Sequence, residues 1–204
     1  MGEDFCLPLF SRVLSRISPN LLRSIRNQLL NMSRIQAALP EQGKVLEIGC
    51  GYGHVLSFLA ELRPDLNFVG IDLDGDAIAQ AKSSWRLGNI RFDQGTVQTI
   101  KGADFDLILI LDVIHHIPDK AEHVMFQESA RILKDGGRLF IKDIPFDNCR
   151  IGVLLDKYVS GQPANVRTDD QLRSALHPYF KLVSWETPTK LKMGELYVLA
   201  EKQT

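Results

Sequence analysis

The sequence predicts a doubly wound α/β sheet with helices ahead of it. Three observations predict it. From Gly43 onward, short apolar runs alternate with segments of helical periodicity, the pattern of parallel strands joined by crossover helices. One of those runs, Phe105 to Leu111, is almost wholly apolar, as a central strand covered on both faces has to be. Residues 5–40 lack the alternation and carry helical spacing alone. A chain of 204 residues holds one core and an addition. The expected division is a helical appendage over 1–40 and a main domain over 41–204.

In the appendage, Leu9, Val13, Leu14 and Ile17 form one apolar stripe and Leu21, Leu22, Ile25, Leu29 and Leu30 another, with Ser18-Pro19-Asn20 between them. Over residues 5–40, Arg12, Arg16, Arg23, Arg26 and Arg34 stand without any acidic residue. Two amphipathic helices fit this pattern. They either pack on the main domain with arginines in solvent, or form a lid or a surface for anionic lipid.

The main domain opens with a buried strand, Lys44 to Ile48, and a helix over Val55 to Leu62. Next come a strand at Asn67 to Ile71, a helix from Asp76 to Trp85, a short strand at Ile90 to Phe92 and the apolar strand ending at Leu111. Asp119 with Glu122 reads as a capping box for a helix that runs to Leu133, and Lys134-Asp135-Gly136-Gly137 reads as its stop. A strand follows at Arg138 to Ile144. Thr168 with Gln171 opens another helix by the same capping logic. Phe180 to Glu186 and Glu195 to Glu201 then read as two strands close enough to pair antiparallel.

Composition narrows the function. Lys plus Arg is 24 and Asp plus Glu is 25, a net charge of −1, which disfavours a nucleic-acid partner. Cys6, Cys50 and Cys149 are scattered, with neither a zinc spacing nor a disulfide framework, as suits a reducing cytoplasm. No apolar stretch is long enough to span a membrane, and the start Met1-Gly2-Glu3-Asp4 is unlike a secretory signal.

Ligands of doubly wound sheets bind beyond the carboxyl ends of the strands, where the winding reverses. After the first strand stands Glu47-Ile48-Gly49-Cys50-Gly51-Tyr52-Gly53, with glycines at alternate positions. The spacing differs from the G-x-G-x-x-G of dinucleotide binders, and Glu47 is a charge that a diphosphate would avoid and a cationic ligand would welcome. Asp72 ends the second strand 21 residues after Gly51, close to the ~20 expected of a ribose-binding carboxylate, while Asp74 is placed to cap the next helix.

Val45 to Gly53, with Gly70-Ile71-Asp72 and Asp112-Val113-Ile114-His115-His116-Ile117, resembles the class I S-adenosylmethionine-dependent methyltransferase family. The resemblance is close over Gly43 to Pro145. It implies a Rossmann-like, seven-stranded and mostly parallel sheet whose last strand is antiparallel. It implies S-adenosyl-L-methionine as cofactor and S-adenosyl-L-homocysteine as product. The loop of Gly49, Cys50 and Gly51 would lie beside the methionine and ribose, with Glu47 toward the cationic amino end. Asp72 would hold the ribose and Leu73 would flank the adenine. Where the family often has an acidic residue for the adenine amino group, this chain has Thr96, leaving the contact to Thr96 or the Val97 backbone. Leu111 would offer its carbonyl to the methionine amino group, with Asp112 nearby.

The same resemblance places the two histidines under the methionine end. His116 is expected to pack beside the cofactor. His115 is expected to face the substrate as base or orienter, with Asp143 across the pocket assisting. Asp156, Lys157 and Tyr158 would sit on a helix forming a pocket wall. No metal is expected. The expected acceptor is a small molecule, lipid-like or carrier-tethered if the basic appendage contributes. A non-catalytic methyltransferase-like binding module and a nicotinamide-dependent oxidoreductase are the alternatives.

Overall fold

The computed structural model describes residues 32–102, 104–143, 167–187, 189–190 and 193–203. The chain divides into two units, Met1–Ala37 and Ala38–Thr204. Of the first, a short helix α1 is described, Met32–Ala38. The two stripes expected between Leu9 and Leu30 lie outside the described residues, as do Asp156, Lys157 and Tyr158.

The second unit follows the expected alternation. Its elements are β1 (Gly43–Ile48), α2 (His54–Leu62), β2 (Leu66–Asp72), α3 (Gly75–Ser84), β3 (Ile90–Gln94), β4 (Phe105–Leu111), α4 (Asp119–Ile132) and β5 (Leu133–Asp143). These are followed by α5 (Asp169–Leu176), β6 (Phe180–Glu186), a two-residue ladder of β7 (Thr189–Lys190) on β8 (Met193–Gly194), and β9 (Leu196–Lys202). Among the described residues the main sheet has seven strands, in the order β3-β2-β1-β4-β5-β9-β6. β1 pairs in parallel with both β2 and β4, and β9 runs antiparallel between β5 and β6. The winding therefore reverses between β1 and β4, and the carboxyl ends of those two strands open a crevice there.

Side chains alternate across the strands, so each face has its own core. Leu46, Ile48, Val69, Ile71, Ile108, Ile110, Leu139 and Ile141 lie on one face, packed with Met125 and Phe126 of α4 and Leu172 and Leu176 of α5. On the opposite face of the same strands, Val45, Phe68, Leu107 and Leu109 are equally buried. Burial on both faces explains why β4 reads as a continuous apolar run rather than an alternation.

Two local readings are corrected. Asp119 does not close a capping box. It is the first residue of α4, Pro118 precedes it as the cap, and the carboxylates of Asp119 and Glu122 instead turn to Arg167. The glycines after Leu133 do not separate helix from strand. β5 begins at Leu133 itself, and Gly136, at φ +75°, lies where the pairing with β4 shifts from Phe105–Leu133 to Leu107–Arg138. The box at Thr168 and Gln171 forms in full, the threonine hydroxyl accepting from the Gln171 N–H and the Gln171 amide oxygen from the Thr168 N–H.

Candidate functional site

A cleft of about 520 Å³ opens at the reversal point. Its walls come from the ends of β1, β2 and β3, from the turn after β4 and from one face of α4. The volume lies within the ~300–1,000 Å³ of small-molecule sites.

Of the glycine loop, Gly49 borders the cleft and Gly51 does not. Gly49 has φ +74° and Gly51 has φ +50°, conformations that cost an L side chain about 1–2 kcal/mol. At Gly49 a Cβ would also come within 2.5 Å of the Val113 side chain, whereas at Gly51 it would meet nothing within 4 Å. The Gly49 and Cys50 N–H groups both donate to the Ile71 carbonyl, at 2.8 and 3.1 Å. The Gly51 N–H donates to Asp72 Oδ2 at 2.7 Å.

Asp72 is the hinge of this region. Its Oδ2 accepts from Gly51 and its Oδ1 accepts from the Asp74 N–H at 2.9 Å. Its own carbonyl accepts from the Gly95 N–H at 2.9 Å, which ties the loop after β3 to the end of β2. Each carboxylate oxygen keeps acceptor capacity beyond these single bonds. Asp74 caps α3 as expected, its Oδ1 accepting from the N–H groups of Asp76 and Ala77. Leu73 is 72% exposed at the rim, with Thr96, buried Val97 and Gln98 also on the cleft.

Glu47 and the Cys50 side chain are buried and do not line the cleft. Glu47 is buried, paired in register with Gly70 and Leu109 on either side. Because Gly70 has no side chain, Cys50 packs there; a Cβ on Gly70 would come within 2.8 Å of its Sγ. Burial, then the charges of Glu47 and Asp72, push the Cys50 thiol far up. The thiol therefore stays protonated and inert as a nucleophile.

The turn after β4 supplies the facing wall. Leu111 is buried at the strand end. Asp112 adopts φ +56°, rare for a residue with a side chain, and is held there by Lys142. The Lys142 ammonium lies 2.6 and 2.7 Å from the two Asp112 oxygens, and the Asp112 N–H donates to the Lys142 carbonyl at 2.8 Å. Residues Ile114–His116 then form a 3-10 turn.

Here the structure departs from the expectation for one of the two histidines. His115 is 2% exposed and does not border the cleft; its Nδ1 lies 2.5 Å from Asp143 Oδ1. His116 borders the cleft, with Val113 and Ile117. The reason is the anchor that Asp143 provides inside, which holds the His115 ring inward while the adjoining His116 ring meets the cleft. Asp143 is fully buried, and its second oxygen accepts from the Ile114 N–H at 2.8 Å. It stands against the back of the turn rather than across an open pocket from His115.

Two features escaped the sequence reading. Ala121, Val124 and Met125 of α4 form an apolar wall of the cleft, and their i, i+3, i+4 spacing was visible as a helix face but not as a ligand surface. Arg167, 4% exposed, donates to the carbonyls of Ile114 at 3.1 Å and Ile117 at 2.7 Å and pairs with Glu122 at 2.8 Å. A lone arginine ahead of a capping box gives no sequence signal for that.

Open space above Gly51, a carboxylate with spare acceptor sites and an exposed Leu73 over an apolar cleft fit a nucleoside with a sulfonium tail. Among the described residues no cluster of His, Cys, Asp and Glu is arranged to hold a metal ion, and no helix is long and apolar enough to cross a membrane.

Residues 45–137 match the family model described as a methyltransferase domain. The match covers a little under half of the chain, and with the sheet order it makes this part of the chain similar to class I S-adenosylmethionine-dependent methyltransferase domains. The chain is 32% identical over 118 residues to a fatty-acid O-methyltransferase of Mycolicibacterium smegmatis, a match covering 57% of this chain and 42% of that protein. It is 32% identical over 122 residues to a ubiquinone biosynthesis O-methyltransferase of Xylella fastidiosa, covering 56% and 48%. The matched part thus spans less than half the length of either relative. Among solved structures, a magnesium protoporphyrin IX methyltransferase of Synechocystis with bound S-adenosylhomocysteine superposes with a TM-score of 0.66 at 17% identity, covering 89% of this chain and 83% of that one, a likeness of fold.

Proposed function

We propose that this chain transfers a methyl group from S-adenosyl-L-methionine to a small-molecule acceptor, releasing S-adenosyl-L-homocysteine. The observation that carries the reading is Asp72, whose carboxylate joins the glycine loop to the start of α3 at the mouth of the cleft. In this reading Asp72 accepts from the ribose hydroxyls, and Leu73 and Val97 flank the base, with Thr96 at its edge. Gly49, Cys50 and Gly51 let the backbone approach the methionine portion. Glu47 lends negative potential from below, and Leu111 and Asp112 border the amino-acid end. The cofactor, when bound, supplies an electrophilic methyl group for in-line displacement.

His116 is the ring placed to orient the acceptor or take its proton, a contribution of typically ~10²–10⁴-fold. The role expected of His115 passes to its neighbour because His115 is buried; His115 and Asp143 hold the turn. The two relatives named as O-methyltransferases support an oxygen acceptor, and the fatty-acid enzyme supports a lipid-like one. We take residues 41–204 as the catalytic domain, 1–40 as an appendage, and the cytoplasm as its compartment. The test is S-adenosylhomocysteine release on incubation with long-chain fatty acids, phenols and small dicarboxylic acids. Turnover with one class supports the reading. Tight cofactor binding with no turnover across a broad acceptor panel favours a binding module instead.

A further inference from the structure

Arg167 lies about fifty residues along the chain from the histidine turn, yet it is bonded to it. Its Nη1 donates to the Ile114 carbonyl and its Nη2 to the Ile117 carbonyl. The Nη2 also lies 3.0 Å from Asp119 Oδ1, and the Nε lies 2.8 Å from Glu122 Oε2. The other side of the same turn is held by Asp143, which accepts from the Ile114 N–H. The peptide groups of Ile114 are thus gripped by a cation at the C=O and an anion at the N–H. His116 and Ile117, which follow, border the cleft.

A buried arginine paired with a buried carboxylate is a poor way to gain stability, since the desolvation of both charges offsets most of their attraction. What such a group does well is fix geometry. A guanidinium is a rigid planar fork that can serve two carbonyls at set angles while its charge lies against carboxylates, and an ammonium cannot. The Arg167 fork also joins the turn to the first turn of α4, the helix that carries Ala121, Val124 and Met125 into the cleft. One side chain therefore sets the spacing between the His116 wall and the apolar wall.

We infer that Arg167 is a positioning residue of the cleft, holding the Ile114–Ile117 turn against α4 so that His116 keeps its place beside the ligand. The inference rests on the proposed reading of the cleft for the ligand it names, but not for the geometry it assigns. The test uses the full chain and the variants Arg167→Lys and Arg167→Met, with S-adenosylhomocysteine as probe. Two quantities are read: the His116 ring signals in carbon–proton NMR without ligand, and the dissociation constant by calorimetry. Leu176→Ala, which opens a cavity at the end of α5, serves as a control that destabilises without touching the fork.

Both arginine variants are expected to shift and broaden the His116 signals and to weaken binding about tenfold through lost preorganisation. The lysine should fail to restore either, although it keeps the charge. Leu176→Ala should lower the melting temperature and leave both quantities unchanged. Wild-type His116 signals and wild-type affinity in Arg167→Lys would overturn the inference, as would an equal effect from Leu176→Ala. Should Arg167→Met not fold, Arg167→Lys decides. Should the wild type bind no S-adenosylhomocysteine, the cleft reading fails on its own, and the unliganded His116 signals still decide the role of Arg167.

Discussion

The rings of His115 and His116 lie side by side, their centroids 3.9 Å apart and their planes tilted by 51°. One belongs to the interior, against Asp143, and the other to the cleft. Adjacent residues of one type thus carry separable duties, and substitution separates them. His116→Ala is expected to lower turnover by ~10²–10⁴-fold with little change in melting temperature. His115→Ala is expected to lose ~1–3 kcal/mol of stability by leaving a buried carboxylate oxygen short of its partner. Thermal melts and turnover measured on the same two preparations check both; the opposite assignment of effects would return His115 to the catalytic role.

Asp143 serves both the His115 ring and the Ile114 backbone. Asp143→Ala strands two buried polar groups at once and is expected to cost ~3–5 kcal/mol in chemical denaturation. Asp143→Asn keeps a carbonyl for the Ile114 N–H and is expected to cost clearly less. Equal losses from the two would mean that the charge of the carboxylate, and not the carbonyl it offers to Ile114, is what the site needs.

The glycine loop offers a contrast between strain and space. Gly49→Ala combines a positive φ with a 2.5 Å approach to Val113 and is expected to lose ~2 kcal/mol or more. Gly51→Ala carries a positive φ alone, with open space around the new methyl group, and is expected to lose only ~1 kcal/mol. If the loop receives the methionine portion as proposed, this methyl group stands in the ligand's way, and affinity for S-adenosylhomocysteine should fall more than stability does. Urea midpoints and calorimetry on the pair distinguish the two costs.

Glu122 gives a pH dependence of known sign. Its burial pushes the carboxyl from 4.5 to about 7, against the pull of Arg167, with Asp119 and Asp143 adding to the rise. Between those values the folded protein holds a proton that the unfolded chain has released. Its contribution to stability is therefore full below pH 4.5, falls as pH rises toward 7, and is level above, with a slope of at most about 1.4 kcal/mol per pH unit. Glu122→Gln should flatten this part of the stability curve. Parallel curves for wild type and variant would show that Glu122 ionises normally.

How far the sequence was legible follows from which forces act locally. β1 to β4, their crossover helices and the Asp74 cap were readable because periodicity, glycine spacing and capping chemistry all act within a few residues. The Thr168 box was readable for the same reason. The Asp119 box was misread because a distant cation competed for both carboxylates, and nothing near Asp119 announces Arg167. The two adjacent histidines are visible in the sequence as a pair after β4. Which ring faces the cleft depends on the phase of a three-residue turn fixed by Asp143 from another strand, a tertiary constraint that adjacency in sequence does not encode.

The central claim is that Asp72 and the loop it braces receive a cationic sulfur nucleoside. Isothermal calorimetry of wild type and Asp72→Ala, both titrated with S-adenosylhomocysteine and with S-adenosylmethionine, tests it most directly. The account predicts one saturable site in the wild type and loss of affinity by at least about 100-fold in the variant, as removal of a charge-assisted acceptor at the ribose should bring. Equal affinities in the two proteins, or no binding by the folded wild type, would contradict it.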